Sequence, residues 1–444
     1  MTSLLVRNAT ILTMNDAFDV VEGAVLVRDG RIVAVGAEAT IGSTPVDRVL
    51  DARQGFVLPG LVQTHVHLCQ TLFRGYADDL PLLDWLRQRV WPLEAAHTPA
   101  SLRASTTLAA AELLLTGTTS VLTMETVHDT DAVLECLVGT GLRATVGKCM
   151  MDAPAEGVPP RLRESARRAI DESVALRRRW HGAGEGRLRV ALAPRFAVSC
   201  TRDLLEAAAA VSAQEQVVVH THASESRAEV DLVRRQTGMN NVTYLDATGL
   251  ATPRLCVAHC IWIDDEEQRL IAERDVKVLH CPGSNLKLGS GLAPVVELAA
   301  RGISVSLGAD GAACNNRLSM FDEMRLAATV QAVRRGPGAL PARDVVRMAT
   351  REGARALGLE AELGSLEAGK RADFVVVNRD APHLAPGDDP YSLLVYAATA
   401  HDVRTVVVDG ELLVEDGRLV RMDAMEVATE ARRACRDLVA RAGL

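Results

Sequence analysis

The chain has 444 residues, of which 48% are hydrophobic and 24% are charged, and this ordinary globular composition excludes disordered, collagen-like and coiled-coil proteins. Its 49 Lys and Arg residues face 57 Asp and Glu residues, so the net charge of −8 provides no basic field for nucleic acid or an anionic membrane. No uncharged apolar run approaches the roughly 18 residues of a membrane helix. The nine cysteines are scattered and include no CxxC pair, which argues against a disulfide framework. We therefore expect a cytoplasmic protein with one large and one small domain.

Both ends of the chain are rich in β-strand signals. Residues 1–58 contain short apolar runs separated by turns, such as Asp29-Gly30 between two valine-rich stretches. The same chemistry returns in residues 361–420, where Asp409-Gly410 marks another hairpin. We predict that these two ends form one small composite β-sandwich. The last residues, 421–444, predict a terminal helix.

The middle of the chain, residues 59–360, has an alternating rhythm of short apolar runs and Ala/Leu/Glu/Arg-rich helical stretches. Eight β-then-α repeats predict an α/β fold of the (β/α)8 TIM-barrel type, with the active site at the carboxyl ends of the strands. The predicted strands are 61–68, 119–124, 143–150, 188–195, 216–223, 255–260, 276–282 and 303–310.

Four of the predicted strands end in histidine or aspartate. His65 and His67 lie two residues apart on the first strand, so both imidazoles point to the same side. The fifth strand supplies His220 and His222 in the same way, and the eighth ends at Asp310. Three imidazoles and one carboxylate suit a divalent metal, zinc or iron. Spacing alone does not choose between the two histidines of the fifth strand.

Two further groups near these strand ends are suited to move protons. Glu225 follows the fifth strand at a strand-to-helix turn, and its spacing favours His222 as the neighbouring ligand. His259, at the end of the sixth strand, could orient a water activated by the metal. His280 is a further candidate at the end of the seventh strand, and a structural role explains it equally well.

Taken together, these segments resemble the amidohydrolase superfamily, specifically its chlorohydrolase and nucleoside deaminase branch. The resemblance covers nearly the whole chain. It is carried by PGLVQTHVHLCQTLFRG (59–75), DLPLLDWLRQRVWPLE (79–94), HTHASE (220–225), VAHC (257–260), HCPGSNLKLGSG (280–291), SLGADGAACNNRLSMFDEMRLA (306–327) and GSLEAGKRADFVVV (364–377).

The resemblance implies a metal-dependent hydrolytic deaminase and assigns roles to individual residues. The implied metal ligands are His65, His67, His222 and Asp310, and the implied proton-handling groups are Glu225, His259 and again Asp310. Binuclear members carry a lysine at the end of the fourth strand, where this chain has residues 193–196 without one. The resemblance therefore implies one metal per subunit, zinc or alternatively iron, in a homo-oligomer that acts on a small molecule.

Within this branch, the sequence is most similar to enzymes that deaminate adenosines with a modified 5′ position, such as 5′-deoxyadenosine, methylthioadenosine and S-adenosylhomocysteine. By that resemblance, Glu94 would bind the ribose hydroxyls and Trp85 would wall the pocket. A core position explains Trp85 equally well.

One departure keeps other substrates open. Relatives of this type tend to place a histidine where this chain has Arg195-Phe196, and that pair is more similar to guanine deaminases. Arg195 could donate two hydrogen bonds to a substrate, or it could pair with a strand-end carboxylate. Lys148, at the end of the third strand, is a further candidate for substrate contact. A guanine or 8-oxoguanine deaminase and an s-triazine hydrolase are therefore the alternatives, and a non-catalytic barrel is a more distant one.

Overall fold

A computed structural model describes residues 3–153 and 156–444 and contains two nine-stranded sheets. The first sheet takes strands from both ends of the chain. Its order is β18-β17-β16-β15-β5-β1-β2-β3, and β4 pairs with β1 outside this path. Its strands are β1 (Ser3–Leu12), β2 (Val20–Arg28), β3 (Arg31–Gly36), β4 (Arg48–Asp51), β5 (Phe56–Pro59), and, after the nine strands of the second sheet, β15 (Phe374–Val377), β16 (Val403–Val408), β17 (Glu411–Glu415) and β18 (Arg418–Leu419).

The two chain ends meet where β15 runs antiparallel to β5, with Phe374 opposite Pro59. Valine and isoleucine side chains of both ends pack around the buried ring of Phe374, because alternate residues of each strand face the same side. The joining of the two chain ends in one sheet is therefore a feature of the structure. Their folding into a sandwich stays a prediction.

The second sheet contains only parallel strand pairs and forms the barrel. Each predicted strand corresponds to an observed one with ends shifted by at most a few residues. Strand β10 begins three residues later than predicted, because Gln216 has a φ of 53° and ends the preceding helix. The strands are β6 (Leu61–His67), β7 (Thr118–Met124), β8 (Arg143–Met150), β9 (Leu188–Pro194), β10 (Val219–Ala223), β11 (Leu255–His259), β12 (Lys277–His280), β13 (Val305–Leu307) and β14 (Asp310–Gly311).

The last barrel strand is split, and its two parts close the barrel. Strand β13 pairs with β12, and β14 pairs with the first strand, β6. Gly308 lies at the break, where an added Cβ would come within 2.6 Å of the His65 carbonyl oxygen. The absence of a side chain at this position therefore lets the eighth strand approach the backbone that carries the predicted ligands.

Helices surround the barrel, and several begin at the Ser, Thr or Asp caps that the sequence offers. Within the described ranges, no helix combines the length and apolar character needed to cross a bilayer. The α-helices are α1 (Glu38–Ile41), α2 (Leu82–Trp85), α3 (Trp91–Ala96), α4 (Pro99–Leu115), α5 (Thr130–Thr140), α6 (Ala166–Trp180), α7 (Arg202–Glu215), α8 (Arg227–Thr237), α9 (Asn241–Ala247), α10 (Asp265–Glu273), α11 (Pro282–Lys287), α12 (Val295–Ala300), α13 (Met320–Arg335), α14 (Ala342–Ala349), α15 (Arg351–Ala356), α16 (Pro390–Ser392) and α17 (Ala424–Ala442).

Shorter helical turns complete the chain. The 3₁₀ turns are Leu68–Phe73, Pro160–Leu162, Pro382–Leu384 and Ala400–Asp402, and the π-helical turns are Leu86–Val90 and Leu393–Ala397. The turns at Leu68–Phe73 and Leu86–Val90 follow β6 and α2, and both supply residues to the pocket described below.

Candidate metal centre and active site

The predicted metal ligands converge at the carboxyl ends of the barrel strands. The Nε2 atoms of His65 and His67 lie 3.2 and 3.1 Å from the same oxygen, Oδ1 of Asp310. The Nε2 atom of His222 lies 3.3 Å from that of His67. The side chains of β6, β10 and β14 thus face one another across the top of the barrel, as TIM-barrel geometry predicts.

Hydrogen bonds made by Nδ1 fix the neutral tautomer of the His67 and His222 rings. The other ring nitrogen, Nε2, then carries the lone pair that faces the cluster. The Nδ1 atoms of His67 and His222 each lie 2.7 Å from a backbone carbonyl oxygen, of Met124 and Arg195 respectively. A carbonyl only accepts, so each Nδ1 carries the hydrogen and each Nε2 of the neutral ring presents a lone pair. Two lone pairs 3.3 Å apart repel each other unless a cation lies between them.

The rest of the cluster suits a cation as well. Nε2 of His65 is fully buried and has no hydrogen-bond partner among the described residues. Burial lowers the pKa of His65 to about 4, which keeps its ring neutral. Burial works against ionisation of Asp310, but the imidazoles of His65 and His67 hold its pKa well below the usual range. Neutral imidazoles with an ionised carboxylate are the donor set that zinc prefers.

The structure also separates the two histidines of β10. His220 turns away from Asp310 and places its Nε2 2.6 Å from Nδ1 of His65. It therefore contacts the rear of a ligand and can orient that ring, whereas His222 faces the cluster. His280 is buried with both ring nitrogens unpartnered among the described residues, and burial lowers its pKa to about 3.

Glu225 and His259 lie beside this cluster. Oε2 of Glu225 is 3.5 Å from Nε2 of His259, which in turn is 3.9 Å from Oδ2 of Asp310. Nδ1 of His259 pairs with Oδ1 of Asn285 at 2.8 Å, which aims Nε2 at the cluster. Burial, together with the nearby carboxylates of Asp310 and Glu229, raises the pKa of Glu225 well above its usual range. A raised pKa favours the protonated form of a carboxyl group, which can donate its proton.

The backbone that carries these groups is bent into the left-handed region. Ser224, His259, Cys260 and Asp310 have φ angles of 54°, 72°, 47° and 63°. Such angles are uncommon for residues other than glycine and persist only where the surroundings hold them. Here the N–H groups of Ile261 and Trp262 both donate to the carbonyl of Ser224 at 3.0 Å. The ends of β10 and β11 are thus locked together where the proton-handling groups emerge.

A pocket opens next to the cluster and has one apolar and one polar wall. Leu82, Trp85, Leu86 and Phe196 form the apolar wall. Its polar lining residues are Gln70 and Arg195, together with the cluster residues His67, His222, Glu225, His259 and Asp310. Gln70 was not among the predicted site residues, although its place three residues after His67, in the turn beyond β6, could have indicated it.

Glu94 and Arg195 form a buried ion pair on the polar side of this pocket. Nη1 of Arg195 lies 2.6 Å from Oε2 of Glu94, Nη2 lies 3.2 Å from Oε1, and Gln70 donates to the same Oε1 at 3.0 Å. Burial alone would raise the pKa of Glu94, but Arg195 reverses this and lowers it. The two residues predicted as separate substrate contacts therefore form one unit. Arg195 pairs with a carboxylate, as the alternative held, but that carboxylate lies on α3 and not at a strand end.

Lys148 is separated from the pocket. Its neighbour on β8, Cys149, points towards the site and lies 3.9 Å from Arg195. Successive side chains of a strand face opposite sides, so Lys148 points towards the helical layer. There it is buried and pairs with Glu164 at 2.6 Å and Glu172 at 3.6 Å. Its expected contact with substrate is therefore not supported by its position.

The chain is similar to known proteins in both sequence and fold. The model of the amidohydrolase family matches residues 56–413. A 5′-deoxyadenosine deaminase of Methanothermobacter thermautotrophicus is 43% identical over 98% of this chain and 99% of its own. A 5-methylthioadenosine/S-adenosylhomocysteine deaminase of Desulforudis audaxviator is 39% identical over the same shares of the two chains. The crystal structure of an adenosine deaminase of Xanthomonas campestris with bound zinc superposes with a TM-score of 0.92, at 34% identity and 99% coverage of both chains.

Proposed function

This chain belongs to the amidohydrolase family, and we propose that it is a hydrolytic deaminase of adenine nucleosides with a modified 5′ position. 5′-Deoxyadenosine, methylthioadenosine, S-adenosylhomocysteine and adenosine are the proposed substrates, and the products are the inosine analogue and ammonia. The full-length similarity to deaminases of 5′-deoxyadenosine and of methylthioadenosine and S-adenosylhomocysteine supports this substrate class.

The observation that carries the proposal is the convergence of four candidate ligand atoms next to the buried carboxyl group of Glu225. The residues that would hold the metal are His65, His67, His222 and Asp310, and the zinc-bound relative supports zinc as the metal. When bound, a divalent metal supplies Lewis acidity, which makes a water molecule a nucleophile at neutral pH. Residues 193–196, at the end of β9, include no lysine such as binuclear members carry, so we propose one metal per subunit.

Hydrolytic deamination forms a bond between a water oxygen and the ring carbon and breaks the bond from that carbon to the exocyclic amine, which leaves as ammonia. We propose that Glu225 gives its proton to the adjacent ring nitrogen as the water attacks. His259 lies 3.5 Å from Glu225, and Asp310 lies 3.9 Å from His259. At these positions, both can receive protons of the water and pass one to the leaving amine.

The pocket walls suggest how the nucleoside is held. The apolar wall with Trp85 and Phe196 offers flat surfaces for a purine ring. On the polar side, Arg195 can donate hydrogen bonds and Gln70 can donate or accept them, and Glu94 holds both residues in place. We propose that the Glu94–Arg195 unit as a whole faces the ribose or the purine edge.

The test is ammonia release from a substrate panel by protein of known zinc content. The panel contains 5′-deoxyadenosine, methylthioadenosine, S-adenosylhomocysteine, adenosine, guanine, 8-oxoguanine and an amino-triazine. We expect turnover of the adenosines with a modified 5′ position in proportion to the zinc content. Turnover of guanine alone would replace this proposal with guanine deamination, and turnover of the triazine alone would replace it with triazine hydrolysis.

A further inference from the structure

Beside Glu225 lies a second buried acid that none of the proposed chemical steps uses. Glu229 is on the first turn of α8 and is only 1% exposed. Its Oε2 accepts a hydrogen bond from the backbone N–H of Glu225 at 2.7 Å, and its Oε1 accepts one from Nδ2 of Asn241. A buried carboxylate requires such partners because burial without them is costly. Glu229 is therefore attached to the main chain of the proposed proton donor.

An ordinary helix cap explains only part of this arrangement. In a capping box, the acid at the third helical position reaches back to the N–H of the N-cap residue. Here the N-cap is Ser226, and its N–H lies 3.4 Å from Glu229, whereas the N–H of the preceding residue, Glu225, lies at 2.7 Å. The carboxylate thus reaches one residue beyond the cap, to the residue whose side chain faces the substrate pocket.

The position of Glu225 depends on this contact. Its preceding residue, Ser224, has a left-handed φ of 54°, and the Ser224 carbonyl is bound to the chain after β11. The following residue, Ser226, is the N-cap of α8. The Glu225 N–H bond to Glu229, at 2.7 Å, is the shorter of the two bonds that join the strained turn to the first turn of the helix. Proton transfer requires heavy atoms within hydrogen-bond reach, so a small shift of this backbone would move the carboxyl group out of reach.

We propose that Glu229 is a positioning residue for catalysis, which holds the backbone of Glu225 so that its carboxyl group meets the substrate. This inference rests on the proposed function, because it takes Glu225 as the proton donor. Asn241 belongs to the same device: it occupies the second oxygen of Glu229 and leaves the first for Glu225.

The decisive variant is Glu229→Leu, which nearly keeps the size of the side chain but removes both acceptor oxygens. The backbone N–H of Glu225 and Nδ2 of Asn241 then both lose their partner. We expect kcat on the best substrate of the panel to fall by about 10- to 100-fold, with KM and zinc content nearly unchanged, because only the proton donor is displaced. A kcat within about twofold of the wild-type value would overturn the proposal.

A more conservative substitution at the same position is expected to keep activity. In Glu229→Gln, the glutamine oxygen can accept from the Glu225 N–H. Once the Asn241 amide turns over, the glutamine amide donates to the Asn241 side-chain oxygen, which has no hydrogen-bond partner among the described residues. We expect kcat close to the wild-type value. A kcat as low as that of Glu229→Leu, with zinc content and thermal stability at wild-type values, would contradict the role assigned to the Glu225 N–H contact.

The chain offers a matched control at the next capping box. Glu267 is the third residue of α10, is also 1% exposed, and accepts from the N–H of Asp264 at 3.3 Å and of Val242 at 2.8 Å. We expect Glu267→Leu to lower the melting temperature about as much as Glu229→Leu while kcat stays unchanged. An equal loss of kcat in both variants would show a purely structural role and overturn the proposal.

Two further variants keep the test decisive. If Glu229→Leu does not fold, Glu229→Asp retains the buried charge but withdraws it from the Glu225 N–H, and its kcat is expected to fall; wild-type kcat would contradict the proposal. Glu225→Gln separates this inference from the proposed function. If Glu225→Gln is inactive and Glu229→Leu is fully active, only the positioning role fails. If Glu225→Gln is fully active, the proton-donor role fails and this inference fails with it.

Discussion

The Nε2 atoms of His67 and His222 lie 3.3 Å apart, and each ring uses its Nδ1 hydrogen on a backbone carbonyl. When both rings are neutral, their two Nε2 lone pairs face each other and repel. A divalent cation held by both nitrogens would relieve this repulsion, which would tie metal affinity to the stability of the fold.

Removal of the metal is expected to destabilise the protein. A ligand that binds only the folded state stabilises it by about 4 kcal/mol when present at about 1,000 times its Kd, so chelation should lower the melting temperature by several degrees. His67→Ala should lose the metal as well, whereas His401→Ala, at an exposed position outside the site, should keep it. The measurements are metal content per chain and calorimetry; unchanged metal content in His67→Ala would refute the ligand set.

Glu225→Gln is expected to keep the metal and lose activity. The amide retains the shape of the side chain but cannot transfer a proton, and loss of a general acid costs about 10²–10⁴-fold in rate. Glu273→Gln, at an exposed position of α10, is the control and should be fully active. The measurement is the steady-state kcat of each variant, loaded with zinc, relative to the wild type. A Glu225→Gln variant with near wild-type kcat would assign proton transfer to another group.

Removal of Arg195 from the buried Glu94–Arg195 pair is expected to lower the free energy of unfolding strongly. Arg195→Met leaves the carboxylate of Glu94 buried and unpaired, which should cost about 3–5 kcal/mol of unfolding free energy. The double variant Arg195→Met, Glu94→Leu should recover much of that stability but not the KM for the nucleoside.

The control for this pair is the exposed pair of Arg202 and Glu206 on α7, whose side chains are 52% and 48% exposed. Arg202→Met should cost less than about 1 kcal/mol. Denaturant unfolding at saturating zinc measures each value. An equally small cost for Arg195→Met would mean that water reaches Glu94 in solution.

Gly308→Ala is expected to impair the metal centre although it replaces none of the proposed ligands. Its Cβ would lie 2.6 Å from the carbonyl oxygen and 2.7 Å from the nitrogen of His65, so the backbone of a ligand must shift. We expect weaker zinc binding, measured by competition with a chelator. Gly139→Ala in α5 is the matched control, because nothing lies within 4 Å of its added Cβ. Equal zinc affinity in both variants would show that β6 and the split strand adapt freely.

The barrel strands, and the meeting of the histidines and Asp310 at their carboxyl ends, were predictable because both follow from local periodicity and parallel strand order. His65 and His67 share a face at i and i+2, and parallel strands bring their carboxyl ends to one edge. The choice of His222 over His220 was not settled by that rule, because both residues satisfy it. It depends on the backbone carbonyl of Arg195, which accepts from His222, and on His65, which contacts His220.

Contacts between distant residues set the limit of prediction. Glu94 and Arg195 are 101 residues apart, and no local pattern indicates that they pair. For Lys148 the strand was correctly predicted, but the face was not considered, and a one-residue step along β8 turns a side chain from the pocket to the helices. Glu229 was missed for a different reason, since its spacing within α8 matches an ordinary capping acid.

His97 is expected to make the fold sensitive to mild acid. Its ring is fully buried, pairs with the carbonyl of Cys69 at 2.8 Å and with Oγ of Ser101 at 2.9 Å, and stacks on Phe73. Burial lowers its pKa from 6.5 to about 4. In the unfolded chain, His97 therefore takes up a proton near pH 6.5, whereas in the folded protein it does so only near pH 4. The contribution of His97 to stability is complete above pH 6.5 and is lost as the pH falls from 6.5 to 4.

The expected loss through His97 is about 3 kcal/mol across that interval, since one pKa unit corresponds to about 1.4 kcal/mol. His97→Gln keeps a donor for Cys69 but cannot titrate. Its unfolding free energy should be lower than that of the wild type at pH 7 and should decline less steeply towards pH 4.5. Denaturant titrations at constant zinc saturation give both slopes, and identical slopes would mean that His97 is protonated without unfolding.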